Sequence, residues 1–140
     1  DWNRGDAARG EVIYGMRGCT LCHDGTEPLG PDLVAATGRM SAADLMLSIV
    51  FPSREVDARW RVTRFRMRDG TRFSGLVVFE GNDVVIVQTG ATTNVRLAAG
   101  AIVDRWPGTA SLMPPGLLRN FSQQGLADLN TFLQEFRNGR

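Results

Sequence analysis

The residues best suited to chemistry stand together near the start of the 140-residue chain. Both cysteines and the single histidine fall within five consecutive positions, Cys19, Thr20, Leu21, Cys22 and His23. Two thiols and an imidazole at the spacing Cys-x-x-Cys-His form the attachment signature for haem c. The thiols can add across the porphyrin vinyl groups, and the next imidazole can bind the iron. The spacing therefore predicts one covalently attached haem, with thioethers at Cys19 and Cys22 and His23 as an axial iron ligand.

Three other uses of this motif compete with haem attachment. A thioredoxin-like redox pair needs a surrounding βαβ pattern, which the flanking sequence does not have. A structural zinc site needs about four nitrogen or sulfur ligands, and outside the motif the chain has no cysteine or histidine left. A disulfide between Cys19 and Cys22 would close a strained small loop and leave His23 without a role. The sequence favours haem over all three.

A second axial ligand of the iron would come from a methionine, because the chain has no second histidine. The candidates are Met16, Met40, Met46, Met67 and Met113. Met113 is favoured because the two prolines that follow it stiffen the backbone and lower the entropic cost of holding a thioether on iron. Met40 is the alternative, followed by an open or water-filled sixth site. Met46 lies in an apolar helical stretch and is expected to fill the core.

Hydrophobic periodicity predicts helices at both ends of the chain and a β-rich middle. The predicted helices are Asp6 to about Gly18, Ser41 to about Phe51, and Ser122 to about Phe136. From about Arg59 to Trp106 the pattern is strand-like, with runs at Phe73–Glu80, Val84–Gln88, Thr93–Leu97 and Ala101–Arg105 and a hairpin turn at Asp69-Gly70. Four or five short strands are expected to form a small curled sheet or barrel.

With these residues the chain resembles the cytochrome c family, and within it the haem-binding c-type domain common in Planctomycetes and Verrucomicrobia. The resemblance rests on Cys19–His23, Leu29–Leu33, Pro52-Ser53, Asp69-Gly70, Ser74–Val77, Leu112–Pro114, Gly116–Leu118 and Leu126–Leu129. It implies that the Pro31 carbonyl accepts the Nδ1 hydrogen of His23, and that Leu33 packs on the porphyrin. It also implies a Met-Pro ligand setting before the last helix, which supports Met113.

The resemblance implies an α+β fold in a single domain over residues 1–140. A mainly helical cytochrome c core, about 1–58 and 107–140, would carry a small antiparallel β-sheet or barrel inserted at about 59–106, between the second helix and the axial-Met loop. The first and last helices would cross, with Gly10 and Tyr14 meeting Leu129 and Phe132.

Charge and hydropathy restrict the partners. Sixteen arginines, with no lysine, stand against 15 carboxylates, so the net charge is only +1, which argues against nucleic acid held by bulk charge. No run reaches the roughly 18 apolar residues of a membrane span. The run of arginines between Arg59 and Arg72 is interpreted as a solvated strand face, with docking of an acidic partner as the alternative.

These expectations describe a monohaem protein that carries single electrons and has no substrate chemistry of its own. Its partners would be redox proteins, such as a periplasmic dehydrogenase or a terminal oxidase, in the periplasm or another compartment to which the chain is exported. Two alternatives stay open. One is a haem-based gas or redox sensor, or ligand-binding module, with a labile sixth site; the other is the electron-relay domain of a larger dehydrogenase.

Overall fold

The computed structural model describes residues 4–140, which form a helical unit and a sheet unit. The helical unit comprises the described residues up to Pro52 together with Pro114–Arg140, and the sheet unit is Ser53–Met113. Helices account for 37% of the residues and strands for 26%. The protein is thus a small α+β structure with a five-stranded antiparallel sheet. The prediction of a mainly helical cytochrome c core is wrong.

Five α-helices are described in the helical unit. They are α1 (Ala7–Met16), α2 (Thr20–His23), α3 (Leu33–Arg39), α4 (Ala42–Val50) and α5 (Gln123–Arg137). The three helices that the sequence predicts begin at side-chain caps: Asp6, Ser41 and Ser122 accept hydrogen bonds from the backbone N–H groups of the first turns. The short helices α2 and α3 are not among the sequence predictions.

Helices α1 and α5 pack closely because Gly10 has no side chain. A Cβ on Gly10 would lie 2.1 Å from the Asp128 carbonyl oxygen and 2.6 Å from the Phe132 Cβ. One turn further along α1, the Tyr14 and Phe132 rings are 5.2 Å apart. The predicted crossing is therefore confirmed, although Gly10 meets the backbone of Asp128 rather than Leu129. Together with Leu45 and Met46, the aromatic pair forms the core of the helical unit.

A buried carboxylate also joins α1 to α5. Asp128 is 3% exposed, and its carboxylate accepts hydrogen bonds from the Asp6 backbone N–H at 2.7 Å and from Arg9 Nε at 2.7 Å. Gln124 donates a further hydrogen bond at 2.9 Å. Because these bonds favour the charged form, led by that from Arg9, the pKa of Asp128 is lowered well below its ordinary value.

The sheet unit contains β1 (Arg61–Met67), β2 (Arg72–Glu80), β3 (Val84–Gln88), β4 (Asn94–Ala98) and β5 (Ile102–Ser111), in the order β4-β3-β2-β1-β5. Every neighbouring pair is antiparallel. The β1–β2 hairpin turns at Gly70, whose φ of +87° is a left-handed conformation that suits glycine. The side chains of Phe65, Val85 and Val87 lie at the centre of the sheet unit's own core.

Strand β5 is longer than the sequence predicts. The predicted run ends at Arg105. In the structure β5 continues to Ser111 and pairs with β1 from Met67↔Ile102 to Arg61↔Ser111, with shifts in register. A proline is tolerated there because β5 is an edge strand, with a neighbour on one side only.

Among residues 4–140, no helix is both long and apolar enough to cross a membrane.

Candidate functional site

The Cys-x-x-Cys-His motif forms a single helical turn directly after α1. Gly18 adopts a φ of +72°, which turns the chain between α1 and the motif. The Cys19 N–H donates to the Tyr14 carbonyl at 3.2 Å, and the His23 N–H donates to the Cys19 carbonyl at 3.0 Å. One hydrogen bond therefore joins the backbone of the motif to α1, and the other closes the turn of the motif itself.

The helical turn brings the three reactive side chains to one face. Residues three and four apart in a helix are neighbours on its surface, so Cys22 and His23 both lie on the side of Cys19. The spacing within this turn therefore places Cys19, Cys22 and His23 on the same side of the helix.

The imidazole of His23 is fixed by the loop that follows α2. Its Nδ1 donates to the carbonyl oxygen of Pro31 at 2.9 Å, since a carbonyl can only accept. The hydrogen bond that the resemblance implies between these two residues is therefore present. With the hydrogen on Nδ1, the lone pair of the neutral ring is on Nε2, which is the form of histidine that binds metals.

The backbone of Gly30 packs directly against the His23 ring. A Cβ at Gly30 would lie 2.9 Å from Cε1, 3.2 Å from Nδ1 and 3.3 Å from Nε2. The loop is held in this position by the carbonyl of Cys22, which accepts from the N–H groups of Leu29 at 2.9 Å and Gly30 at 3.0 Å. Only a residue without a side chain allows the loop and the imidazole to approach so closely. From the sequence, Gly30 is noted only as part of the stretch Leu29–Leu33.

Both cysteines are free thiols and half-buried. Cys19 packs against the core of the helical unit. Burial raises the pKa of both thiols above the ordinary value of 9.0, because a thiolate loses solvation there. At neutral pH both groups are therefore protonated, and no disulfide joins them.

Tyr14, a buried residue of α1, is hydrogen-bonded to the residue that follows the motif. The Tyr14 hydroxyl donates to the carboxylate of Asp24 at 2.9 Å, directly after His23. Burial, followed by this hydrogen bond, raises the pKa of Tyr14. The sequence carries no signal for this pair, because Asp24 has the appearance of an ordinary loop residue.

Apolar side chains around the motif in sequence remain open to solvent. Met16 is 76% exposed, Leu21 53% and Val34 43%. Leu33, which the resemblance places on the porphyrin, is half-buried and packs against the helical core.

The five methionines have different surroundings. Met46 is 4% exposed within the helical core, as predicted, and Met67 is 8% exposed within the sheet core. Met40 is half-buried against the helical core. Met113 is the half-buried last residue of the sheet unit, and its N–H donates to Ser111 Oγ at 3.1 Å. Its role as an iron ligand stays a prediction.

The donor set fits haem better than the competing uses of the motif. Within the described part of the chain, no three His, Cys, Asp or Glu side chains form a group that could hold a metal ion, whereas structural zinc needs about four such ligands. Residues 4–60 contain no strand, so the βαβ pattern of a thioredoxin-like pair is missing. Haem needs only two thiols and an imidazole on one face, because the porphyrin supplies four nitrogens itself.

No family model matches the chain. No curated protein matches its sequence. With no family match, no three-ligand metal group in residues 4–140 and a prominent five-stranded sheet, the assignment to the cytochrome c family and to its planctomycete-type domain is wrong. Any function must be argued from the site itself.

Proposed function

We propose that the helical unit holds one haem covalently, through thioethers at Cys19 and Cys22, with His23 as an axial ligand of the iron. The observation that carries this proposal is the hydrogen bond from His23 Nδ1 to the Pro31 carbonyl. It directs the free lone pair to Nε2 while both thiols lie on the same helical face. Covalent haem, when bound, supplies an iron that cycles between the ferrous and ferric states.

The residues of the chain have separate tasks in this proposal. Cys19 and Cys22 hold the group so that it cannot dissociate. The Pro31 carbonyl fixes the His23 tautomer and raises the basicity of Nε2. Gly30 and the hydrogen bonds to the Cys22 carbonyl keep the loop against the imidazole. Met113 stays the predicted second axial ligand, and Leu33 is the residue proposed to pack on the porphyrin.

The function supported best is single-electron transfer, because the motif supplies two thiols for covalent attachment and an imidazole for the iron. The partners would be redox proteins, such as a periplasmic dehydrogenase or a terminal oxidase. In this proposal the chain is exported, and its thiols meet haem in the periplasm or in another exported compartment.

The test is expression of the chain in a host with haem c maturation, followed by intact mass and absorption spectroscopy. We expect a mass increase of one haem that survives denaturation, with one thioether lost in each of Cys19→Ser and Cys22→Ser. Colourless protein with the mass of the bare polypeptide would refute the proposal. Arg39→Ser is a matched surface control and should mature normally.

A further inference from the structure

An open, groove-like cavity of about 470 Å³ lies on the surface of the sheet unit, apart from the haem motif. Its lining comes from the β1–β2 hairpin, from the end of β4 and from the turn that follows β4. This volume is in the range of pockets that hold small organic molecules. From the sequence, Arg68 is interpreted only as a member of the arginine run between Arg59 and Arg72, and no small-molecule site is predicted here.

The floor of the cavity is apolar. Met67, Phe73, Leu97 and Ala101 line it, and all four belong to the sheet core or pack against it. Phe73 and Ala101 are only partly buried, so apolar surface remains open to the cavity. An apolar group bound there would be stabilised because part of its surface is removed from water.

Two arginines line the same cavity. Arg68 is anchored, because its guanidinium donates to the Gly100 carbonyl at 2.8 Å and its backbone N–H donates to the Ala101 carbonyl at 2.8 Å. Arg96 is exposed, and no ion pair of Arg96 occurs within residues 4–140. Arg66, in contrast, is paired with Asp104. The cavity therefore has cationic side chains that the fold has not neutralised.

One carboxylate, Asp69, also lines the cavity. It accepts a hydrogen bond from the Thr71 N–H at 2.8 Å, and hydrogen bonding with Thr71 lowers its pKa. Asp69 is thus charged, but it is engaged in the hairpin turn. Two arginines against one carboxylate leave the lining with net positive charge.

We propose that this cavity binds a small organic carboxylate that carries an apolar group. A guanidinium matches the two oxygens of a carboxylate, and the floor of Phe73 and Leu97 accepts the apolar part. A neutral molecule would lack the first interaction, and a short polar anion would lack the second. The sheet unit would then be a ligand-binding element, and this inference does not depend on haem.

The test is titration of the ¹⁵N-labelled full chain with octanoate, with octanol and acetate as comparison ligands. We expect saturable amide shifts at residues 67–73 and 96–101. Octanoate should bind at least about tenfold more tightly than octanol or acetate, since each lacks one of the two interactions. Arg68→Met and Arg96→Met should each weaken octanoate binding by about tenfold.

Two further variants test whether octanoate binds in this cavity: one fills the cavity, and the other changes a residue outside it. Ala98→Trp places a large ring in the cavity and should abolish octanoate binding, while the amide spectrum verifies the fold. Arg72→Met removes a cation from the same hairpin without touching the cavity, and it should bind octanoate normally. Absence of saturable shifts, shifts that map elsewhere, or equal binding of octanol and octanoate would overturn the proposal. So would equal effects of Arg72→Met and Arg96→Met.

Discussion

His23 Nδ1 lies 2.9 Å from the carbonyl oxygen of Pro31. The two residues are separated by a loop whose own N–H groups return to the Cys22 carbonyl, so the imidazole is oriented before any ligand binds. A preoriented ring loses little entropy when it ligates iron, and the carbonyl makes Nε2 more basic. The hydrogen bond between His23 and Pro31 thus links the conformation of this loop to the iron ligation proposed for His23.

Substitution of Gly30 tests this relationship directly. In Gly30→Ala, the new Cβ would lie 2.9 Å from the Cε1 of His23, so the ring or the loop must shift. We expect a lower yield of covalent haem and a loss of about 1–3 kcal/mol in the free energy of unfolding. Urea denaturation of the apo chain and haem content after maturation measure the two effects.

Gly38→Ala is the matched control, because a Cβ at this position in α3 meets nothing within 4 Å. It should leave haem yield unchanged and stabilise the chain by about 0.5–1 kcal/mol, since alanine is the better helix former. Equal behaviour of the two variants would show that the contact between Gly30 and His23 has no effect.

The crossing of α1 and α5 gives a second prediction. Gly10→Ala would place a Cβ 2.1 Å from the Asp128 carbonyl oxygen, which forces the helices apart and costs about 1–3 kcal/mol of stability. Gly15→Ala lies in the same helix with no neighbour within 4 Å and should be neutral or stabilising. Thermal unfolding of both variants measures the difference, and similar melting temperatures would contradict the tight crossing.

The sequence predicts the elements of this protein better than their assembly. Capping side chains and the Asp69-Gly70 turn are local signals, and the helix starts at Ser41 and Ser122 and the hairpin agree with the structure. The length of β5 depends on a partner, because Pro107 is acceptable only on a sheet edge. Helix α3 is missed because its seven residues are too few for a clear periodic pattern.

For the candidate site, the motif is visible in the sequence, but the packing around it is not. The contact of Gly30 with His23 depends on the return of the loop to the Cys22 carbonyl, and the hydrogen bond from Tyr14 to Asp24 joins residues ten positions apart. Such long-range contacts leave no periodic pattern. The family resemblance fails for a related reason, because the short stretches that carry it specify local features and not the fold that connects them.

The pKa values of both thiols are raised, so the thiols should lose their protons only at alkaline pH. Because burial raises the pKa of Cys19 and Cys22 above 9.0, we expect slow alkylation of the apo chain by iodoacetamide at neutral pH. The rate should rise only at alkaline pH and should accelerate at neutral pH once urea exposes the thiols. Cys19→Ser and Cys22→Ser report the two positions separately, and rapid alkylation of folded protein at neutral pH would contradict the prediction.

The buried Asp128 predicts a pH dependence of stability. Because its folded pKa is lowered, its stabilising contribution is fully present above the unfolded value of about 4. The contribution is lost as the pH falls through the lower folded value. In urea unfolding, Asp128→Asn should therefore be less stable than the parent chain at pH 7, and the difference should shrink below about pH 4. Glu27→Gln, at an exposed position, should show no such trend, and a constant difference for Asp128→Asn would refute the prediction.

The sixth iron ligand distinguishes an electron carrier from a sensor. If Met113 ligates the iron of the matured protein, Met113→Ala should lose the sulfur-to-iron charge-transfer band of the ferric form, and its dithionite-reduced form should bind carbon monoxide readily. Met40→Ala should keep the band and resist carbon monoxide, because a firmly held thioether blocks the sixth position. Persistence of the band in Met113→Ala with its loss in Met40→Ala would transfer the ligand role to Met40. Ready binding of carbon monoxide by the parent protein would mean an open or labile sixth site, which fits a gas sensor rather than an electron carrier.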